Sequence, residues 1–547
     1  MNTPTRYASN FHGDRAERWR REGRWPDLTL GELAKRRAEE SPRRTALVDG
    51  REYSFATFYD DGVRLASALL ARGLKPGDVV SFQLPNWYEG CVVCLAAALA
   101  GLVANPLVPI YREAELKYML ANSRSRLVFI PAIFRGFDYR AMIRRVREEI
   151  GTDFEVVCLR GDAQEFTAWS DIASAERAAL PDVSPDDPAL VLYTSGSSGR
   201  AKGVLHTHNT LLASIDDSIV YFSEGPEDVN LVVSPITHIT GFGQAFLLPI
   251  TVGLHSVLVD VWEPAAAMKA MIERGVTIMN GATPFLAALA KQAAMEGTNV
   301  PKFRRYICGG AQVPPGLIFS ASEQFTNAVV HRVYGSTELG CVTAGTRDRG
   351  EVELGANTDG RLGRTAVRIV DPVTGVDLPL GSEGEIVALG PQMCIGYIDP
   401  ADNANALDEQ GFFRTGDLGR MERECLVITG RKKDLIIRNG ENISPLEIEE
   451  ALAGHPDIRD VAVVAMPSEK TGECACAFIV ARGDRRLALA DIAAFMTERG
   501  FAKQKIPEWI EYVDELPVSV QGKVQKVELR ARAREIHARA AALSRPA

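Results

Sequence analysis

The stretch Tyr193-Thr194-Ser195-Gly196-Ser197-Ser198-Gly199-Arg200-Ala201-Lys202-Gly203 sets hydroxyls, glycines and one lysine directly behind the apolar run Ala189–Leu192. Glycines let backbone N–H groups approach a polyphosphate, hydroxyls add donors, and Lys202 brings a positive charge. The stretch therefore implies phosphate chemistry. It is not a Walker A loop, because no glycine here is followed after four residues by Gly-Lys-Ser or Gly-Lys-Thr. A flexible Ser/Gly linker would suit the composition but not the apolar segments on both sides.

Outward from this loop, short β-rich runs alternate with longer helical patterns. The runs Val79–Phe82, Leu127–Ile130, Leu231–Val233 and Ser256–Val259 are of this kind, and the alternation predicts α/β layers. The uncharged run Gly90–Ala104 falls short of the roughly 20 residues that span a bilayer and reads as a buried helix. Near the C-terminus a new α+β pattern begins. Leu435–Ile437 predicts a strand, Asn439-Gly440 a tight turn with positive φ, and Ser444-Pro445-Leu446-Glu447 a capping box with proline at the first helical position. That helix should end near Gly454, strands should follow at Val461–Ala465 and Ala475–Val480, and the Arg/Ala-rich end from Leu529 to Leu543 reads as a surface helix with solvated arginines.

The chain has 547 residues, more than one ordinary domain holds. A net charge of −9 argues against general binding to nucleic acid or to an anionic membrane surface. The N-terminal region mixes Arg15, Arg18, Arg20 and Arg21 with Asp14, Glu17 and Glu22 and has no apolar core segment, so no signal or transit peptide is expected. Nine scattered cysteines favour core packing over zinc and a reducing, cytoplasmic setting.

Further polar clusters follow the loop in order: Tyr334-Gly335-Ser336-Thr337-Glu338, Arg414-Thr415-Gly416-Asp417, Gly430-Arg431-Lys432-Lys433-Asp434 running into Asn439-Gly440-Glu441-Asn442, and Gln521-Gly522-Lys523-Val524. Their order and spacing resemble the adenylate-forming superfamily of acyl-CoA synthetases, adenylation domains and luciferases, over nearly the whole chain. The resemblance implies an α/β fold with a large N-terminal domain of several subdomains, residues 1–432, that binds ATP and the acyl group. A small mobile α+β lid, residues 433–547, would carry the adenylation lysine. It also implies a two-step reaction. A carboxylate attacks the α-phosphate of ATP to give acyl-AMP and pyrophosphate, and the thiol of coenzyme A then takes the acyl group.

By the same resemblance Thr194, Ser195, Gly196, Ser197, Ser198, Gly199 and Lys202 handle the β- and γ-phosphates, with Ala201 in place of a usual proline and Ser198 of a usual threonine. Gly309, Gly310 and Ala311 pass close to adenine, Tyr334 and Gly335 lie at the adenosine, Thr337 bonds the α-phosphate, and Glu338 holds Mg²⁺. Asp417 accepts from the ribose hydroxyls with Arg431 beside it. Lys523 reaches the carboxylate and α-phosphate as a permanent cation, although Gln521 stands where serine or threonine is usual; Lys526 reads as a surface lysine. Lys433 lies at the hinge, and Asn439 and Gly440 approach the nucleotide in the second state to shape the thiol tunnel.

The segment Leu231–Ser256 lines the acyl pocket by position, with His238, Gly241, Phe242 and Gly243, and Ala282 adds another wall. It contains no Asp, Glu, Lys or Arg, so an ammonium group on the substrate would find no partner there. The expected substrate is thus a short- or medium-chain fatty, alicyclic or aromatic acid. His238 gates the pocket, orients the carboxylate or is structural. A separate carrier protein instead of coenzyme A, a nucleotide-binding regulator without turnover and a luciferase-type oxygenase remain the alternatives; Lys523 lies too near the chain end for a fused carrier domain.

Overall fold

The computed structural model describes residues 11–151, 153–194, 200–310, 313–439, 441–518 and 523–543, the last with side chains through 539. Among these residues two large sheets carry the N-terminal part. The seven-stranded one runs Val329–Arg332, Arg305–Cys308, Ile278–Gly281, Val229–Val232, His255–Leu258, Thr45–Asp49, Arg51–Ser54, parallel except for the terminal hairpin. The eight-stranded one runs Gly396–Tyr397, Lys202–Thr207, Pro188–Thr194, Val103–Pro106, Val79–Phe82, Ser125–Pro131, Glu155–Leu159, Thr167–Ala168.

Two helices join the sheets through one core. Phe58, Leu65 and Leu69 of Phe55–Ala71 and Val92 and Leu95 of Tyr88–Ala100 are buried together with Val80, Phe82 and Leu127 of the eight-stranded sheet and Leu47 and Val232 of the seven-stranded sheet. Tyr88–Ala100 is apolar on every side because it is covered on every side. The run read as one helix from Gly90 to Ala104 is therefore shorter. Gly101 ends it in the left-handed region at φ +67°, and the chain turns into the strand Val103–Pro106. No helix among the described residues is long and apolar enough to cross a membrane.

Contacts divide the chain into two units. The first comprises the chain through Ala366 with Ala388–Phe413; the second comprises Val367–Val387 with the chain from Arg414 on. This division by packing differs from the expected split at residues 432 and 433, which concerns motion about Lys433. Within the second unit, the strands Ile458–Ser468 and Gly472–Ala481 pair antiparallel and bury Cys474 and Cys476 on one face with Val464, Met466 and Phe478. All nine cysteines are unbonded thiols, and among the described residues no group of three or more metal-ligating side chains occurs.

Three local expectations need correction. Pro445 does start its helix, Pro445–Ala453, but there is no capping box: Ser444 Oγ donates to the Thr429 carbonyl at 2.6 Å, and Glu447 pairs with Lys505 at 2.6 Å. The arginines of the C-terminal helix Lys526–Leu543 are not all solvated: Arg534 and Arg539 are exposed, but Arg530 pairs with Asp434 beside the edge on which Leu529 and Ala533 are buried. Lys526 is not a surface lysine: it pairs with buried Glu449 at 2.7 Å.

The helix crossing in the first core depends on Gly62. A Cβ there would stand 2.6 Å from Leu95 Cδ2, inside van der Waals contact. Gly62→Val should cost about 1–3 kcal/mol of first-unit stability by overpacking. In the background of Leu95→Ala the same substitution should cost clearly less, read as a double-mutant cycle on denaturant midpoints; additive losses would place the effect elsewhere.

Candidate active site

Four adjacent parallel strands of the seven-stranded sheet deliver expected site residues from their carboxyl ends, the end at which open α/β sheets bind ligands. Arg305–Cys308 runs into Gly309 and Gly310, Val329–Arg332 into Tyr334, Ile278–Gly281 into Ala282, and Val229–Val232 into the segment reaching His238. Local sterics explain the glycines. A Cβ on Gly309 would meet the Val333 carbonyl at 3.0 Å, and Gly310 sits at φ +81°. Gly335 pairs with Cys341 in a short hairpin where a Cβ would stand 2.3 Å from the Gly340 carbonyl. Tyr334 is 8% exposed, its N–H donating to Thr343 Oγ1 at 2.7 Å.

The eight-stranded sheet brings the phosphate-loop flanks to the same cluster. Pro188–Thr194 and Lys202–Thr207 pair antiparallel, with Thr194 opposite Lys202, so the loop between them is a hairpin connection. Ser195, Gly196, Ser197, Ser198 and Gly199 lie outside the described residues, as does Ala311. Lys202 Nζ lies 3.2 Å from Asp402 Oδ1 and 5.1 Å from the Tyr397 ring centroid, and Arg200 donates to Asp399 Oδ2 at 2.7 Å. Tyr397 donates its hydroxyl to Glu338 Oε1 at 3.0 Å; burial, and then the Glu338 carboxylate, push that phenol far up, so it stays a donor. Glu338 is held from behind as well, its carbonyl accepting from Cys394 N–H at 2.7 Å. As a carboxylate anchored by a phenol, it would suit Mg²⁺, which binds through few protein oxygens and keeps phosphate and water ligands.

His206, four residues along the strand from Lys202, fixes the neighbour of Glu338. Its Nε2 lies 2.8 Å from the Thr337 carbonyl and its Nδ1 3.0 Å from Thr210 Oγ1. A carbonyl can only accept, so the network assigns the proton to Nε2. Burial lowers the imidazole pKa to about 4 and keeps the ring neutral.

Around the expected acyl pocket, His238 caps the short helix Ile239–Phe242, Nδ1 facing Thr240 N–H at 3.4 Å. Gly241 allows this helix against the preceding chain, since a Cβ would stand 2.0 Å from the Pro235 carbonyl. Phe242 turns into the core, edge-on to Phe246 with ring centroids 5.3 Å apart. Gly243 opens a π-helical turn, Gly243–Leu247, a form that often marks functional sites. Tyr306 donates its hydroxyl to the Ala282 carbonyl at 3.3 Å.

In the second unit, Asp417 and Arg431 face each other across an antiparallel hairpin, Oδ1 to Nε 2.9 Å, with Asp417 buried. Lys433 lies in the 3₁₀ turn Lys432–Asp434. Asn439 takes φ +52°, the left-handed conformation the turn requires, and its N–H donates to the Thr471 carbonyl at 2.8 Å; Gly440 lies outside the described residues. Lys523 stands one residue before Val524, whose bridge to Val518 closes the loop.

Residues 34–398 match the model of the AMP-binding enzyme, and residues 447–523 that of the AMP-binding enzyme C-terminal domain. The chain belongs to the AMP-binding enzyme family. Its relatives in this family include the medium-chain fatty-acid–CoA ligase of Escherichia coli, 34% identical across 95% of this chain and 93% of the other. The 2,3-dihydroxybenzoate-AMP ligase of Bacillus subtilis is 30% identical across 94% and 95%. Among solved structures, ATP-bound MatB of Rhodopseudomonas palustris superposes with a TM-score of 0.82 at 28% identity, covering 93% of this chain and 100% of that one. These are adenylate-forming ligases, with a large N-terminal and a small C-terminal domain.

The AMP-binding enzyme motifs did not disclose His206, Tyr397, Asp399 or Asp402. Only the strand pairing of Val204 with Tyr397 and Leu205 with Gly396 brings them to the loop, and nothing local in the sequence announces it.

His206 is one of four buried histidines of the first unit held neutral by burial, with His12 and His208 at about 4 and His331 at about 3. Each lies below the unfolded value of about 6.5, so the unfolded chain takes up protons that the folded chain refuses. Stability is full above pH 6.5 and falls toward pH 4, by up to roughly 1.4 kcal/mol per pH unit for each histidine. Buried Glu224, raised to about 7, opposes one of the four. The urea midpoint followed by tryptophan fluorescence should therefore drop between pH 7.5 and 5.5. His206→Gln, which keeps a donor without titrating, should flatten the slope; an unchanged slope would count against a neutral His206.

Proposed function

We propose that this chain is an ATP-dependent acyl-CoA ligase acting on a carboxylic acid with an uncharged tail, of the short- or medium-chain, alicyclic or aromatic kind. The observation that carries the substrate reading is the charge-free segment Leu231–Ser256 at the carboxyl end of Val229–Val232. An α-amino acid would bring its ammonium into a wall with no carboxylate, an unpaired charge that is costly to bury. Coenzyme A as acceptor is favoured by the 34% identity to a fatty-acid–CoA ligase.

In the first step two anions meet, so the reaction needs cations and donors more than an acid or base. Lys202 supplies charge to the polyphosphate. It does so by leaving Asp402, whose Oδ1 lies 3.2 Å from its Nζ. Thr337, with its carbonyl fixed by His206, offers its hydroxyl to the α-phosphate, and Glu338 would hold Mg²⁺, which neutralises charge on the phosphates when bound. Tyr334 and the glycines 309 and 310 form the adenine wall, and Asp417 with Arg431 holds the ribose. Lys523 attends the carboxylate and α-phosphate during adenylate formation. The lid, residues 433–547, then turns about Lys433, withdraws Lys523 and presents Asn439 and Gly440 to the thiol. His238 stands at the acyl side.

Lys523→Ala should lower adenylate formation roughly 10²–10³-fold, the scale of one lost preorganised charge contact, while conversion of supplied acyl-adenylate to thioester stays largely intact. Equal loss in both half-reactions would refute the assignment. Asp402→Asn should lower the KM for ATP several-fold by releasing Lys202, and Lys202→Met should raise it. A pyrophosphate-release screen across fatty, alicyclic and aryl acids, with matched 2-amino acids, tests the substrate class. A higher kcat/KM for the amino acid would overturn it, and thioester formed on a carrier protein but not on coenzyme A would replace the acceptor.

A further inference from the structure

Lys523 precedes the helix Lys526–Leu543 by two residues, Val524 and Gln525. Two cations four residues apart on this helix are turned inward, each side chain 19% exposed. Lys526 Nζ lies 2.7 Å from Glu449 Oε1, and Arg530 Nη1 lies 2.5 Å from Asp434 Oδ1. Both acids are themselves mostly covered, at 8% and 13% side-chain exposure. Glu449, on Pro445–Ala453, is fixed again by Val463 N–H, which donates to the same Oε1 at 2.6 Å. Asp434 closes the turn that contains Lys433.

Apolar contact already seats the helix, through Leu529 and Ala533 on Val464, Met466 and Phe478. Such contact is non-directional and leaves rotation and sliding along the axis weakly specified. Two charge-assisted bonds one turn apart remove both freedoms, and buried ion pairs serve register better than they serve stability. The register is transmitted a short way. Gln525 N–H donates to the Pro517 carbonyl at 2.7 Å and Val524 bridges Val518, so the two residues that follow Lys523 are tied down beside the clamped first turn.

We propose that Lys526–Glu449 and Arg530–Asp434 form a two-point clamp that positions Lys523 for adenylate formation, the second pair linking that helix to the turn containing Lys433. The four are positioning residues, and the clamp rests on the adenylation role of Lys523 proposed above.

The test measures the two half-reactions separately on the full chain, with Lys523→Ala as reference. Arg530→Met should lower kcat for adenylate formation about 10-fold or more with KM for ATP and acid within about two-fold, and slow thioester formation from supplied acyl-adenylate less than about two-fold. Arg530→Lys, which keeps the charge, should recover most of the loss. Glu449→Gln should behave as Arg530→Met does. Parallel losses in both half-reactions, tracking a lowered melting temperature, would mean the pairs only hold the unit together and would overturn the clamp. Full adenylation in Arg530→Met beside an inactive Lys523→Ala would overturn the clamp alone, whereas an active Lys523→Ala would remove the lysine assignment and the clamp with it. Should Arg530→Met fail to fold, Glu449→Gln decides: a loss confined to adenylate formation would support the clamp, and equal losses in both half-reactions would refute it.

Discussion

The pairing of the strand Lys202–Thr207 with Pro188–Thr194 on one side and Gly396–Tyr397 on the other organises the first unit's site. It ties both ends of the phosphate loop to a rigid sheet and sets Lys202 beside Tyr397 and Asp402. It also carries His206 to the Thr337 carbonyl. One ladder thus relates three segments far apart in the chain: the loop, the Tyr334–Glu338 turn and the acidic turn at residues 399–402. A sheet holds such groups more accurately than loops do, because backbone ladder bonds leave the strands little freedom.

Much of this was legible beforehand, for identifiable reasons. Chemical demands that act locally leave local marks: glycines where the backbone must approach closely, as at Gly309 and Gly335, and asparagine where φ is positive, as at Asn439. Strands with strong β-branched character, such as Val79–Phe82, also fell where expected. What was not legible depends on partners distant in sequence. Asp402 reads as an ordinary surface acid, and Lys526 as an ordinary surface lysine, until the fold supplies Lys202 and Glu449. The run from Gly90 is the buried helix expected, but its end is not legible in the pattern, because burial on all sides erases the periodicity that separates helix from strand and leaves only Gly101 as the mark of the break.

Three cations at or beside the expected site residues share a further property: each has an acidic partner within its own unit. Lys202 has Asp402, Arg200 has Asp399 and Arg431 has Asp417. Paired charges of this kind keep basic side chains from opposing the folding of the unit that holds them. Under the proposed function a polyphosphate would take these cations in exchange, which would favour a ligand bearing several negative charges over one bearing a single charge.

The second unit is assembled from two separated pieces of chain. The chain leaves the first unit after Ala366, returns at Ala388 and leaves again after Phe413. Glu385, in the early piece, is nearly inaccessible and accepts from Arg414 and Lys432 of the late piece, at 2.7 and 3.3 Å. On the ribosome the early piece emerges before its partners exist, so its carboxylate lacks them until Arg414 and then Lys432 have been synthesised. Domains normally close as units while translation proceeds, N-terminal first. Here the insertion makes maturation of the smaller unit sequential, and a fragment released by cutting after Phe413 would lack two of the four strands of its own sheet, Ala366–Val370 and Gly384–Leu389.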